Sequence, residues 1–248
     1  MAIDKAIFIA MSGASEAQNA QALHANNIAN GSTAGFKAQY EAQRALPVYN
    51  SGLPTRVYAA TYAPGFDQSA GNIIETGNNL HIHLKGEGFF AVQGDKLQEG
   101  YTRRGDLQID QNGQLITGDG YPLIGSGGII ILPPAKNVNI SVSGEVLVTP
   151  LNATTDDMIL VDRLKLVNPD VQTLVKGHDG LFRRENGTPA ENVENLKVGS
   201  NGYEASNVNP VNELITLMEL SRKMEMGLKI VSAVKDNAQS SSSLLSLK

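Results

Sequence analysis

The chain has 248 residues, of which 41% are hydrophobic, and carries a net charge of −5 at pH 7. That length suffices for one large or two small domains with a buried core. The modest charge and the lack of a dense run of Lys and Arg argue against nucleic acid or a membrane surface as a partner. The absence of cysteine excludes disulfides, thiolate metal sites and cysteine catalysis.

The N-terminus carries an apolar patch at residues 6–11 that no basic segment precedes. A cleaved secretory signal is therefore not expected. No stretch reaches the length of a transmembrane helix, so we expect no membrane insertion. Composition alone does not say how the chain would leave the cytoplasm.

The first 37 residues predict an alanine-rich helix followed by a tight stop. Apolar or small residues recur at gaps of four and three, which predicts a seam for another helix. The members of this seam are Ile3, Ile7, Ala10, Ala14, Ala17, Gln21, His24 and Ile28. Asn30 and Gly31 tolerate the backbone that closes a helix, Gly35 can make a second turn, and Phe36 would fold back as an apolar anchor. An amphipathic helix packing on its own domain explains the same pattern.

Residues 38–75 contain Pro47, Pro54 and Pro64 among scattered Gly and Ser. Proline lacks a donor for a strand ladder, so this segment is predicted to be an extended connector with short edge strands. From residue 76 to 204 alternating apolar segments predict an antiparallel β domain. Its first strand, residues 80–85, is expected to turn His81 and His83 toward solvent, and residues 129–132 are expected to form a buried apolar strand.

Residues 106–117 predict a hairpin in this domain. A two-residue turn at Asn112 and Gly113 would place Ile109 opposite Ile116, whereas a three-residue loop at residues 111–113 would place it opposite Leu115. We prefer the three-residue loop, with Gly113 in the left-handed conformation.

A second long helix is predicted to begin at Asn209, with Asn209 as cap, Pro210 at the first helical position and Glu213 near the positive helix end. Its predicted seam is Leu214, Leu217, Ser221, Met224, Leu228, Val231, Lys235 and Ala238. The predicted fold is therefore α+β. The terminal helices, residues 1–37 and 205–248, pair as a coiled-coil-like core domain, and a central antiparallel all-β domain at residues 76–204 is inserted between them.

No residue pattern indicates catalysis, a cofactor or a metal. His81 and His83 lie two apart on one strand without a third ligand nearby. Asp110 begins a stretch that resembles a calcium loop, but Gly113 arrives two positions early and Tyr121 stands where the bidentate Glu belongs. Asp156 and Asp157 fit a polar loop better than an acid–base pair. We expect no enzyme activity.

Four sequence blocks resemble the bacterial flagellar rod and hook family, and they occur in the family's order. They comprise residues 25–30 followed by Thr33, Gly35, Phe36 and Lys37; residues 76–80 with 86–90; residues 101–106 through 120–123; and residues 206–213. Residues 53–57 are similar to the proximal rod branch. The distal rod branch shares all four blocks and stays an alternative.

This resemblance implies a structural subunit of the basal-body rod, the drive shaft between motor and hook. Terminal helices from many copies would pack into a hollow axial core inside the cell envelope. Partners would be copies of the chain, other proximal and distal rod subunits, and the flagellar type III export apparatus, which needs no cleaved signal.

The implied assembly interface comprises three groups of residues, which intramolecular packing could also explain. The N-terminal seam contributes Ile3, Ile7, Ala10, Ala14 and Ala17; the turn contributes Asn26, Asn27, Asn30, Thr33, Gly35 and Phe36; and the C-terminal helix contributes Asn209, Val211, Leu214, Leu217, Met218, Met224, Leu228 and Val231. In a different class, a secreted β-rich binding module would use loops near Tyr101 and Tyr121 for a ligand.

Overall fold

A computed structural model of the chain describes residues 2–47, 57–151 and 158–245. Two helices near the chain ends bracket a region of antiparallel strands, so the α+β class is confirmed. The helices are α1 (Ala2–Ala29) and α2 (Pro210–Leu245). Residues 53–56 of the predicted proximal-branch motif and the carboxylates Asp156 and Asp157 lie outside the described residues.

The chain divides into two compact units. The helical unit comprises Met1–Gly31, Lys37–Asp67 and Val208–Lys248, and the β unit comprises Ser32–Phe36 and Gln68–Asn207. The short segment that follows α1 therefore belongs to the β unit, although residues on both sides of it belong to the helical unit.

The helical unit also contains a two-stranded hairpin of β1 (Gln39–Pro47) and β2 (Val57–Phe66). Its antiparallel register runs from Gln39 opposite Phe66 to Pro47 opposite Val57, with an irregularity after Ala42. This hairpin stands where the sequence analysis predicted an extended connector with short strands. Pro47 and Pro64 are tolerated because a two-stranded hairpin has only edge strands, and an edge position needs no donor on its outer side.

The β unit is built from short antiparallel strands. They are β3 (Ile73–Glu75), β4 (Ile82–Lys85), β5 (Phe89–Gln93), β6 (Glu99–Thr102), β7 (Gln108–Ile109), β8 (Leu115–Ile116), β9 (Ile124–Gly125), β10 (Gly128–Ile129), β11 (Ala135–Ile140), β12 (Glu145–Pro150), β13 (Ile159–Arg163), β14 (Leu166–Val167), β15 (Leu174–Lys176), β16 (Phe182–Arg184), β17 (Lys197–Ser200) and β18 (Gly202–Glu204). The largest described sheet has the order β14-β5-β6-β16-β15, and a three-stranded sheet has the order β11-β12-β13.

One continuous apolar core holds the β unit together. Ile82, Phe90, Leu115, Val146 and Val198 are all buried in it, and they come from strands of four different sheets. The many short sheets therefore fold as one body because their inner faces share this core.

The predicted hairpin at residues 106–117 is confirmed in register. Ile109 lies opposite Leu115, and Gly113 has φ +78°, the left-handed conformation that a three-residue loop requires. The carbonyl of Asp110 accepts the Gly113 amide at 3.1 Å, and its carboxylate accepts the Asn112 and Gln114 amides at 2.8 Å. Turn chemistry therefore accounts for the stretch that resembles a calcium loop.

Two details of the predicted strands are wrong. Residues 129–132 are not buried throughout: Ile130 and Leu132 are buried, whereas Ile129 and Ile131 are exposed, because side chains alternate between faces on extended backbone. His83 does not face solvent. It is buried beside Gly199, which lies opposite it on the paired strand β17, and its Nδ1 lies 3.2 Å from the carbonyl of Gly202 in β18.

Candidate assembly interface

The end of α1 is tied to the start of β1 by Asn27. Its side chain is fully buried, donates to the carbonyl of Gln39 at 2.9 Å and accepts the amide of Gln39 at 3.0 Å. This pair of bonds satisfies both polar ends of the amide, which burial would otherwise leave unpaired. Asn26 is exposed, and its carbonyl accepts the side-chain amide of Asn30 at 2.9 Å, which closes the last turn of the helix.

Gly35 takes the left-handed conformation with φ +65°, as a second turn after the helix requires. Its amide donates to the carbonyl of Glu204 at 2.7 Å. A Cβ at this position would overlap the carbonyl of Arg103, so the turn needs glycine for two independent reasons. The amide of Phe36 donates to the carbonyl of Thr33 at 3.3 Å.

Phe36 is anchored within the β unit by a cation–π contact. The ammonium nitrogen of Lys176 lies 3.6 Å from the centroid of its ring and 5.6 Å from that of Phe182. Burial lowers the pKa of Lys176 to about 8, because removing the ammonium group from water disfavours its charged form. The aromatic faces act in the opposite direction by attracting the cation.

Asn209 caps α2 as predicted. Its side-chain oxygen accepts the amide of Val211 at 3.1 Å and that of Asn212 at 3.3 Å. Glu213, one turn into the helix, pairs with His24 of α1. A carboxylate in the first turn is also favoured by the positive end of the helix dipole.

The side of α2 nearest α1 differs from the predicted seam. Its less exposed positions recur at gaps of three and four: Glu213, Thr216, Leu217, Leu220, Ser221, Met224, Gly227, Val231 and Val234. A Cβ added to Gly227 would lie 3.4 Å from that of Ala14. Since His24 faces Glu213 while Ala14 faces Gly227, the two helices run antiparallel past each other.

The predicted α2 seam therefore agrees with this side at some positions, Ser221 among them, and differs from it at others. Leu217, Met224 and Val231 are half-buried as expected, but Leu214 and Leu228 are each 53% exposed. On α1, Ile7, Ala10 and Ala14 are half-buried and Ala17 is buried, while the side chain of Ile3 lies outside the described part of the chain.

An exposed apolar patch, here called the outer patch, occupies the first turns of α2. Val211, Leu214, Ile215 and Met218 form it, and each is between 51% and 66% exposed. At about 100° per residue these four side chains fall within roughly one third of the helix circumference. Ile215 is not among the predicted interface residues, although the spacing of positions 211, 215 and 218 indicates that it shares their face.

Helix α1 has exposed apolar side chains of its own. Phe8 is 62% exposed and Met11 53% exposed, and they lie three residues apart on one face of the helix. Neither residue belongs to the predicted seam, which follows the small residues of the helix. Contiguous exposed apolar side chains on a soluble chain mark surfaces that bind a partner.

The alternative sites considered from sequence have structural explanations where the structure describes them. Tyr101 is buried, and its hydroxyl accepts the amide of Ala190 at 2.7 Å, so it cannot serve as an exposed ligand contact. His81 packs edge-on against Tyr203. Within residues 2–47, 57–151 and 158–245, no group of three or more His, Cys, Asp or Glu side chains is arranged to hold a metal ion. In the same ranges, no helix has the length and hydropathy to cross a membrane.

Three family models match separate parts of the chain. The flagella basal body rod protein model matches residues 7–37, the flagellar hook protein FlgE/F/G D1 domain matches residues 83–148, and the flagellar basal body rod FlgEFG protein C-terminal model matches residues 200–244. The first covers most of α1 and the turn that follows it, and the third covers most of α2 and the residues that precede it. The second falls within the β unit.

Relatives extend the similarity over the whole chain. The chain is 38% identical to the flagellar basal-body rod protein FlgF of Escherichia coli (strain K12), over 99% of the chain and all of the relative. Identity to FlgF of Salmonella typhimurium is 35% over the same shares. Identity to the flagellar basal-body rod protein FlgG of Buchnera aphidicola subsp. Schizaphis graminum is 32%, over 88% of the chain and 91% of the relative. These relatives show that the chain belongs to the flagellar basal-body rod protein family and is a structural subunit of the rod.

Proposed function

We propose that the chain is a proximal rod subunit and that its terminal helices assemble with copies of itself and with other proximal and distal rod subunits. The observation that carries this proposal is the outer patch of α2, where four large apolar side chains face solvent in the free chain. Burying a Leu or Met side chain contributes about 1.5–3 kcal/mol, so a patch of four supplies a substantial driving force for packing against another helix.

We further propose that α1 and α2 of one chain pair as a coiled-coil-like element. The less exposed face of α2 repeats at gaps of three and four, a spacing that suits a helix seam. Small residues support the pairing, since Gly227 and Ala14 allow the two backbones to approach closely. The pair then presents the outer patch on the opposite side of α2, where a neighbouring subunit can cover it.

The proximal assignment is favoured by the relatives. Identity to the two FlgF proteins is 38% and 35%, against 32% to FlgG over smaller shares of both chains. A distal rod subunit is the second candidate because FlgG proteins also align with most of the chain. We propose a location in the flagellar basal body within the cell envelope, reached through the flagellar export apparatus without a cleaved signal, and a role without enzymatic activity.

Two substitutions three residues apart on α2 test the assembly role. Leu214 belongs to the outer patch, so Leu214→Asp adds a charge where the free chain is already solvated, and the expected loss of stability is under about 0.5 kcal/mol. Rods should nevertheless fail to form, because every subunit interface would bury the carboxylate. The measurements are thermal unfolding of the purified chain and recovery of basal bodies from a strain that carries only the variant.

Leu217→Asp and Ser232→Asp serve as comparisons. Leu217 is half-buried, so its variant should lower the melting temperature of the free chain as well as assembly. Ser232 is exposed and polar, so Ser232→Asp should preserve both. Normal rods with Leu214→Asp, or a large drop in its melting temperature, would contradict the proposal that this patch is covered by another subunit.

A further inference from the structure

Three segments of the β unit lie directly beside its chain crossings to the helical unit. They are residues 32–36, which follow α1; residues 68–72, which follow β2; and residues 204–207, which precede α2. We call them the anchoring segments. Their positions relative to the β core determine where the chain enters and leaves this unit.

One residue, Glu204, binds to both of the other anchoring segments. Its backbone carbonyl accepts the amide of Gly35 at 2.7 Å, and its carboxylate accepts the amide of Gly71 at 2.9 Å. The same carboxylate pairs with the guanidinium of Arg103 at 3.1 Å, and both side chains are almost wholly buried. Arg103 in turn donates to the carbonyl of Gly86 at 2.6 Å, which connects the pair to the loop between β4 and β5.

Close backbone packing surrounds this carboxylate. A Cβ on Gly35 would overlap the carbonyl of Arg103, and a Cβ on Gly71 would overlap the carbonyl of Ala205. The amide of Ala205 donates to the carbonyl of Asn72 at 2.8 Å. The side-chain amide of Asn207 donates to the carbonyl of Ser69 at 3.1 Å. Two glycines thus allow the three segments to approach closely enough for one residue, Glu204, to bind the other two through its backbone carbonyl and its carboxylate.

Because the Arg103 and Glu204 side chains are both buried, each charge depends on the other for compensation. Burial lowers the pKa of Arg103, and the neighbouring Glu204 carboxylate acts in the opposite direction by favouring the charged guanidinium. A buried ion pair adds little net stability compared with apolar side chains of similar volume, but it requires a specific geometry of its partners. Such a pair is better suited to fixing positions than to stabilising the core.

We propose that the Arg103–Glu204 ion pair is a positioning site that fixes the three anchoring segments to the β core so that subunits can assemble in register. The pair is distinct from the helical surfaces that make the assembly contacts. Its assembly consequence rests on the proposed role of the chain as a rod subunit, whereas its local consequence can be measured in the free chain.

Two variants separate positioning from overall stability. Glu204→Gln leaves the buried guanidinium without its counter-ion, so both the melting temperature and the protection of the anchoring segments should fall. The double variant Arg103→Met with Glu204→Met removes both charges and keeps apolar volume, so melting should recover. In the double variant methionine cannot accept the Gly71 amide, so residues 69–73 should stay unprotected.

The measurement is amide hydrogen exchange of the purified full-length chain. The peptide covering residues 69–73 should exchange about tenfold faster in both variants than in the wild type, while the core strand β12 of the double variant keeps its protection. Rods should be lost with both variants. Recovery of segment protection and of rods together with melting in the double variant would overturn the proposal, because a purely stabilising role predicts that result.

A second ion pair in the same unit provides the matched control. Lys165 and Glu99 pair at 2.8 Å between β6 and the residue before β14, away from the anchoring segments in sequence and in bonding. Glu99→Gln should lower the melting temperature without a selective effect on residues 69–73, and an equal effect there would also overturn the proposal. If the wild-type gene failed to restore rods in a strain that lacks it, the proposed rod function would be refuted. The hydrogen-exchange result would still test whether the ion pair holds the anchoring segments.

Discussion

Substitution of Gly35 tests the turn that follows α1. Gly35 has φ +65°, and alanine in the left-handed region costs about 1–2 kcal/mol, partly offset by roughly 0.4–1 kcal/mol from the more restricted unfolded chain. At Gly35 the added methyl group also overlaps the carbonyl of Arg103, which no rotamer change can relieve. Overpacking of this kind adds about 1–3 kcal/mol, so the expected total for Gly35→Ala is about 2–4 kcal/mol.

Gly187 provides a control with almost the same backbone conformation. Its φ is +68°, and no atom lies within 4 Å of an added Cβ. Gly187→Ala should therefore cost only the conformational part, about 1 kcal/mol. The difference between the two variants isolates the contact with Arg103 from the strain of the left-handed conformation.

The assay is differential scanning calorimetry of both purified variants beside the wild type. For a unit of this size each kcal/mol lowers the melting temperature by roughly 2–4 °C, so the two variants should be clearly resolved. Rod recovery should fall with Gly35→Ala and stay normal with Gly187→Ala. Equal losses of stability would show that the overlap at Arg103 carries no energy, and the reasoning for a second requirement at Gly35 would be refuted.

Two further predictions concern buried polar groups. Asn27→Ala should destabilise the helical unit by about 1–3 kcal/mol because Gln39 loses two hydrogen bonds. Asn26→Ala, at an exposed neighbouring position, should stay within about 0.5 kcal/mol of the wild type. Similar melting temperatures of the two variants would argue against the Gln39 contact. The pKa of Lys176 is about 8 in the folded chain and 10.5 ordinarily, so between these pH values the unfolded state binds more protons. The destabilisation caused by burying the charged ammonium is therefore full below pH 8 and fades as the pH rises to 10.5. Any stability advantage of Lys176→Met should therefore shrink from pH 8 to 10.5 in urea unfolding curves, and a difference independent of pH would exclude this titration.

The described structure agrees with the sequence most closely where the interactions are local. The cap at Asn209, the three-residue loop that ends at Gly113 and the left-handed turn at Gly35 were all predicted. Each depends on a few consecutive residues: a side-chain acceptor that reaches the next amides, or a glycine that tolerates positive φ. Such preferences are largely independent of what the rest of the chain does.

The hairpin β1–β2 and the buried His83 depend on contacts that local patterns do not carry. Prolines at residues 47 and 64 argue against a central strand but not against a strand with a free edge, and only the pairing partner distinguishes the two. Alternation predicts that His83 lies on the face opposite Ile82, and it does. The sequence does not show that Gly199 of β17 and Gly202 of β18 lie next to the His83 side chain on that second face.

The helices show the same division between local and tertiary information. Spacing alone determined that α2 is a long helix with apolar repeats, but its apolar residues surround much of the circumference, so several stripes at gaps of three and four fit it equally well. Packing against α1 selected the stripe with Leu220 and Gly227, since Gly227 opposite Ala14 allows a close approach, and left Leu214 exposed to solvent. The Arg103–Glu204 pair joins residues 101 positions apart, and charge complementarity over that separation has no sequence pattern; the folded backbone alone brings them together.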